Sequence, residues 1–153
     1  MRPTRSCEAY VDGASHGNPG PAGVGVALFT GPAGILPSGY PTGRMPARQL
    51  GKYIGQATNN VAEYLALIYA LLEAREAGFG AIRVRTDSEL MARQMTGRYA
   101  VRDAQLKLLH ELARHLTKQF EQFDIEHIPR AKNALADRLA GEAVRVRGDI
   151  RAL

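Results

Sequence analysis

Tryptophan is absent from this 153-residue chain, and cysteine occurs once, at Cys7. A lone thiol excludes an intrachain disulfide and a cysteine-based zinc site, and it fits a reducing, intracellular compartment. No apolar stretch of signal-peptide length opens the chain, which begins MRPTRSCEAY. The longest apolar run, around Leu65 to Leu72, is too short to span a bilayer. The expectation is therefore a soluble, cytoplasmic, monomeric protein with no membrane partner. Acidic residues are in deficit, 15 Asp and Glu against 20 Lys and Arg, for a formal charge of +5. That surplus suits a polyanionic partner without naming one. Internal repeats and low-complexity segments are also lacking. The simplest organisation is one compact domain over residues 1–146, followed by a tail over 147–153.

What is present alternates between strand and helix patterns. Cys7 to Val11 reads as a strand ending at Asp12-Gly13, followed by a Gly-, Asn- and Pro-rich loop from Ala14 to Pro21. Val24 to Phe29 is a second strand and Gln49 to Ala57 a third. The Gly- and Pro-rich insertion 31–48 between them, which carries Arg44 and Arg48, is an irregular excursion or a substrate-side flap. Val61, Tyr64, Leu65, Ile68, Leu71 and Leu72 share one face of a helix closed by Gly78 and Gly80. Ala81 to Thr86 is a fourth strand and Ser88 to Thr96 a short helix. Ala104 to Phe120 is an amphipathic helix with Leu106, Leu109, Leu112, Ala113 and Leu116 inward. Phe123 to Ile128 is a last strand and Asn133 to Val146 the final helix. Three closely connected strands predict an antiparallel meander, and two later strands reached through helices predict parallel neighbours. The fold class is α/β, a five-stranded mixed sheet flanked by helices.

Four acids stand at element ends: Asp12, Glu63, Asp87 and Asp137. Each has an ordinary explanation. Asn60 and Glu63 have capping-box spacing, Asp87 precedes a helix start, Asp137 suits a helix N-terminus, and Asp12-Gly13 suits a turn. Their joint placement permits something more. Parallel strands can end side by side with helix starts at the same edge, and carboxylates gathered there repel unless cations neutralise them. Hard oxygen donors suit Mg²⁺ or Mn²⁺, and two such ions roughly 4 Å apart can cleave a phosphodiester.

Four blocks carry a resemblance. Tyr10-Val11-Asp12-Gly13-Ala14 with Gly17-Asn18-Pro19-Gly20-Pro21-Ala22-Gly23 resembles the first-strand signature of the ribonuclease HI family. Thr58-Asn59-Asn60-Val61-Ala62-Glu63-Tyr64 is similar to its TNN-x-AE motif, and Thr86-Asp87-Ser88 to its TDS motif. Ile128-Pro129-Arg130, Asn133 and Ala136-Asp137-Arg138-Leu139-Ala140 resemble its last motif. The match runs in order from about residue 7 to 146. It implies the ribonuclease H-like fold and an endoribonuclease acting on the RNA strand of RNA–DNA hybrids, leaving 5′-phosphate and 3′-hydroxyl ends. It implies an acidic tetrad of Asp12, Glu63, Asp87 and Asp137 holding two Mg²⁺ ions, with Mn²⁺ as substitute.

The chain departs from many bacterial members in two ways. The loop before the last helix is short, and resemblance to the short-loop members implies that Arg130, seven residues before Asp137, replaces the catalytic-loop histidine as an aid to metal turnover or a phosphate contact, with a plain loop arginine as the alternative; His127 reads as a strand residue. A basic protrusion is not evident, since Arg93, Arg98, Arg102 and Lys107 are scattered, and the chain lacks the tryptophan that some relatives use beside the DNA strand; Tyr99 is a candidate substitute, with a core or hinge role as its alternative. Asn18, Asn59 and Asn60 fit recognition of a 2′-hydroxyl, because an amide both donates and accepts. Ser15 and Ser88 extend that set, and Thr58 is a candidate for a DNA phosphate. The competing readings are a catalytically silent hybrid- or RNA-binding module, a nuclease that also cuts double-stranded RNA, a resolvase-like nuclease, and a domain detached from a reverse transcriptase. The complete acid set weighs against the first, and the TNN-x-AE and NPG blocks against the resolvase. A chain that reads as standing alone weighs against the last.

Overall fold

The computed structural model describes residues 4–31 and 46–152. The body of the insertion 31–48, including Arg44, lies outside the described residues. The antiparallel meander forms, from β1 (Ser6–Ser15), β2 (Gly20–Thr30) and β3 (Arg48–Ala57), but its first hairpin is longer than expected: the β1–β2 ladder continues to Ser15 and Ala22, so Asp12 lies within β1, not at its end, and the expected loop from Ala14 to Pro21 shrinks to 16–19. After helix α1 (Asn59–Glu76), β4 (Ala81–Thr86) returns parallel to β1. Helices α2 (Glu89–Met95) and α3 (Ala104–Thr117) lead to β5 (Gln122–His127), parallel to β4. A 3₁₀ turn (Arg130–Lys132) and α4 (Ala134–Val146) follow. Among the described residues the sheet has six strands, in the order β5-β4-β1-β2-β3-β6, not five. The sixth, β6 (Ile150–Ala152), comes from the segment read as a tail and pairs antiparallel with β3. Three residues are too few for a periodic signal. Ionic contacts hold the segment in place: Arg151 to Glu73 at 2.5 Å and Asp149 to Lys52 at 3.2 Å.

Side chains alternate across the strands, so the sheet has two cores. Cys7, Ala9 and Val11 of β1, with Val24, Val26 and Leu28 of β2, pack beneath α1. Burial pushes the Cys7 thiol up to about 12, which leaves it an inert core residue. On the opposite face Tyr10, Ala27 and Phe29 meet Ala136 and Leu139 of α4. That second core is small because the face also buries charge. Arg85 lies 2.5 Å from Glu8, both almost fully enclosed, and donates to the Tyr10 hydroxyl at 3.1 Å. Glycines let α4 approach β2: a Cβ on Gly25 would overlap the Ala136 carbonyl oxygen.

Two leucines expected on inner faces are 46% exposed. Leu72 lies beside Tyr69 in a surface groove near Leu50 and Lys52. On α3, the seam against the core runs through Leu106, Leu109, Ala113 and Leu116, and Leu112 falls just outside it. A helix covered from one side buries a narrower stripe than its apolar residues span. Among the described residues, no helix is long and apolar enough to cross a membrane.

Candidate active site

The strand register brings the first two acids together. Val11 pairs with Thr86 as the last pair of the parallel β1–β4 junction, so the next residues, Asp12 within β1 and Asp87 just past β4, stand side by side where that pairing stops. Glu63 arrives from the first turns of α1. Its Oε1 accepts from the Gly13 amide at 2.6 Å, which ties the helix to the strand. Gly13 makes this approach possible, because a Cβ there would overlap the Ala62 carbonyl and the Glu63 nitrogen.

Oxygens of Asp12, Glu63 and Asp87 lie within 4.8 Å of one another, and Asp12 and Glu63 are buried. Burial pushes the Asp12 carboxyl far above the usual range, and the charges of Glu63 and Asp87 push it further. Burial also raises Glu63, against the opposing pull of the Gly13 N–H. Three hard oxygen donors that resist ionisation together form a donor set that a divalent cation would satisfy. Asp137, in the first turn of α4, stands outside that tight group but lines the same cleft, of about 440 Å³.

The remaining expected residues divide. Arg130 lines the cleft, its guanidinium 3.7 Å from Asp137 and mostly exposed. Ser15 and Asn59 also line it. The Ser15 hydroxyl donates to the Ala57 carbonyl at 2.7 Å, fixing the β1 end against β3. Asn18 sits outside the lining, and its Oδ1 accepts from the Asn59 amide at 2.9 Å, so its NH₂ is the end left for a ligand. Thr58, not Asn60, caps α1, accepting from Val61 at 3.2 Å; Glu63 turns to Gly13 instead of closing a capping box. Ser88 caps α2 by accepting from Met91. His127 ends β5 beside Thr86 and lines a separate groove with Arg93 and Arg98, away from the acids.

Asn133 does more than its place in a motif suggests. It is almost fully buried and makes no side-chain cap. Its Nδ2 donates to the Val11 carbonyl at 2.8 Å and to Asp87 Oδ1 at 2.9 Å. One amide thus joins α4 to both segments where the β1–β4 pairing stops and sets the Asp87 carboxylate in place. His16, absent from the sequence-based set, also lines the cleft. The only sequence signal for it is a histidine in a Gly- and Asn-rich loop four residues after Asp12.

Comparison with known proteins agrees with this arrangement. The family model described as "Reverse transcriptase-like" matches residues 10–143. The ribonuclease HI of Halobacterium salinarum is 46% identical over 136 residues, 89% of this chain and 63% of that protein. The RNase H1 crystal structure from the same archaeon has a TM-score of 0.80 at 44% identity, covering 92% of this chain and 98% of that one. The chain belongs to the ribonuclease HI family. A second family structure, LC11-RNase H1 in complex with an RNA/DNA hybrid, superimposes with a TM-score of 0.79 at 38% identity, over 92% of this chain and 98% of that one. The bifunctional protein Rv2228c of Mycobacterium tuberculosis is 41% identical over 88% of this chain, which spans 34% of its length. The chain thus covers under two thirds of both curated relatives.

Proposed function

We propose that this chain is an endoribonuclease that hydrolyses the RNA strand of RNA–DNA hybrids, using two Mg²⁺ ions or Mn²⁺ in their place. The observation that carries this reading is the meeting of Asp12, Glu63 and Asp87 within 4.8 Å at one sheet edge. A family relative in complex with an RNA/DNA hybrid supports the substrate class. Asp12, Glu63, Asp87 and Asp137 would hold the ions. When bound, such ions supply an activated water and stabilise the leaving oxygen, giving 5′-phosphate and 3′-hydroxyl ends.

The chain's own groups hold this machinery in place. The Gly13 amide orients Glu63, and Asn133 orients Asp87. Arg130 offers a guanidinium at the cleft for a phosphate. Asn59 at the cleft, and the free NH₂ of Asn18 beside it, supply polar contacts that suit a 2′-hydroxyl in a shallow minor groove.

The test is cleavage of labelled RNA–DNA hybrid, duplex RNA, duplex DNA and single strands, with Mg²⁺ and with EDTA. Hybrid is cut only with metal, and cutting of duplex RNA would broaden the specificity. Asp87→Asn keeps the fold and hybrid binding but loses at least the roughly hundredfold that loss of an outer supporting group costs a metal site. Undiminished turnover by Asp87→Asn, or cleavage in EDTA, refutes the reading.

A further inference from the structure

Two basic side chains line the acidic cleft among the described residues: Arg130 and His16. A nucleic-acid strand brings a negative charge on each side of the bond that is cut. Cations held by the acids would offset charge at the reacting phosphate, and the flanking phosphates need donors of their own.

His16 is built as such a donor. Its backbone is fixed while its side chain is free. The His16 amide donates to the Pro21 carbonyl at 2.8 Å. Gly17 turns the chain with φ +116°, and Gly20 packs so closely that a Cβ would overlap the His16 carbonyl. The neighbouring Ser15 is tied to β3. The imidazole itself is exposed and has no hydrogen-bond partner among the described residues. A side chain presented freely by a rigid turn into a cleft is arranged for a ligand and contributes little to the fold.

We infer that His16 is a substrate-contacting residue that donates to a backbone phosphate next to the scissile one. It approaches from the β1–β2 loop, whereas Arg130 approaches from the β5–α4 connection. This rests on the reading of the cleft as a hybrid nuclease. It adds a specific consequence: His16 governs affinity for the strand and not the affinity for metal.

The experiment measures binding of fluorescent RNA–DNA hybrid by anisotropy in EDTA, and cleavage kinetics in Mg²⁺, for wild type, His16→Ala and His16→Arg. His16→Ala weakens binding and raises KM by roughly three- to tenfold, with kcat and the half-saturating Mg²⁺ within about twofold. His16→Arg restores affinity and steepens the salt dependence of binding by about one charge. Unchanged hybrid affinity in His16→Ala overturns the inference, as does an effect confined to the Mg²⁺ requirement. If His16→Ala misfolds by circular dichroism, His16→Arg decides: wild-type affinity with a steeper salt slope supports the contact, and an unchanged slope or lost affinity overturns it. Binding is read without turnover. A wild type that binds hybrid but does not cut it therefore sinks the nuclease reading and leaves this one to stand or fall separately.

Discussion

Replacing Asp12 by asparagine is expected to make the metal-free protein more stable while it stops cleavage. The site crowds like charges: Asp12, Glu63 and Asp87 have oxygens within 4.8 Å. At an effective dielectric of about 20, two unit charges at that distance repel by roughly 332/(20 × 4.8), or about 3.5 kcal/mol. The protein limits this cost by keeping a proton, which is why the Asp12 carboxyl is held far above its usual range. The sign follows from linkage. In the unfolded chain Asp12 ionises near the ordinary aspartate value, whereas in the folded chain it holds its proton to much higher pH. Between those two values the folded state binds more protons, so stability falls as pH rises, and the full penalty stands only above the folded value. Below the unfolded value there is no penalty. An asparagine at position 12 removes the slope.

The gain is therefore expected to be about 1–2 kcal/mol at pH 5 and to grow towards pH 9 by up to about 1.4 kcal/mol per pH unit. For a protein of this size each kcal/mol is roughly 2–4 °C in Tm. Thermal melts in EDTA at pH 5, 7 and 9, followed by circular dichroism, measure it. Saturating Mg²⁺ stabilises the wild type by binding only its folded state, so the gap narrows or reverses. A variant that melts below the wild type in EDTA at pH 9, or a gap independent of pH, would refute the electrostatic account of the cluster.

Gly13→Ala is expected to cost about 1–3 kcal/mol or more, because the new methyl overlaps α1 at Ala62 and Glu63; urea unfolding measures the loss, and cleavage falls as Glu63 shifts. Asn133→Ala leaves Asp87 and the Val11 carbonyl without their shared donor. Its Mg²⁺ requirement for half-maximal rate rises by roughly 10–100-fold while KM for hybrid changes little, which separates a positioning role from a substrate contact. Arg85→Ala removes the ion pair of the buried Glu8 and the bond to Tyr10. A loss of about 3–5 kcal/mol in urea unfolding is expected, and a change below 1 kcal/mol would show that the pair is dispensable.

The parts of the fold that were legible in the sequence are those with local periodicity. The meander, α1, α3 and the order of the later elements follow from apolar spacing, and the acids follow from the motifs that hold them. Non-local contacts escaped. β6 is invisible because three residues carry no period and its anchors, Lys52 and Glu73, lie far away in the chain. Glu8 and Arg85 alternate with core residues and so read as surface positions, yet they bury each other. The capping box that Asn60 and Glu63 could make does not form, for a related reason. Glu63 can reach either its own helix start or a neighbouring strand, and the close approach that Gly13 permits decides for the strand. Asn133 shows the same limit, since both of its partners lie more than forty residues away.

Topology explains why the acids meet where they do. Where the parallel pairing of β1 with β4 stops, the next residues on the two segments stand at the same height, and here both are aspartates. The helix crossing between those strands starts at the same edge, which brings Glu63 within reach of the Gly13 amide. Such convergence opposes stability, because charges placed together in a water-poor site repel. The surrounding structure therefore has to hold them with bonds that cannot relax, and it does so with backbone N–H and a buried amide in place of flexible cations. Arg130, the cation nearest Asp137, stays exposed at 3.7 Å and neutralises little. A site meant only for folding would have enclosed an arginine among these carboxylates, as Glu8 encloses Arg85 one face-position away on the same two strands. Leaving the acids uncompensated beside an open cleft fits a place reserved for an external cation.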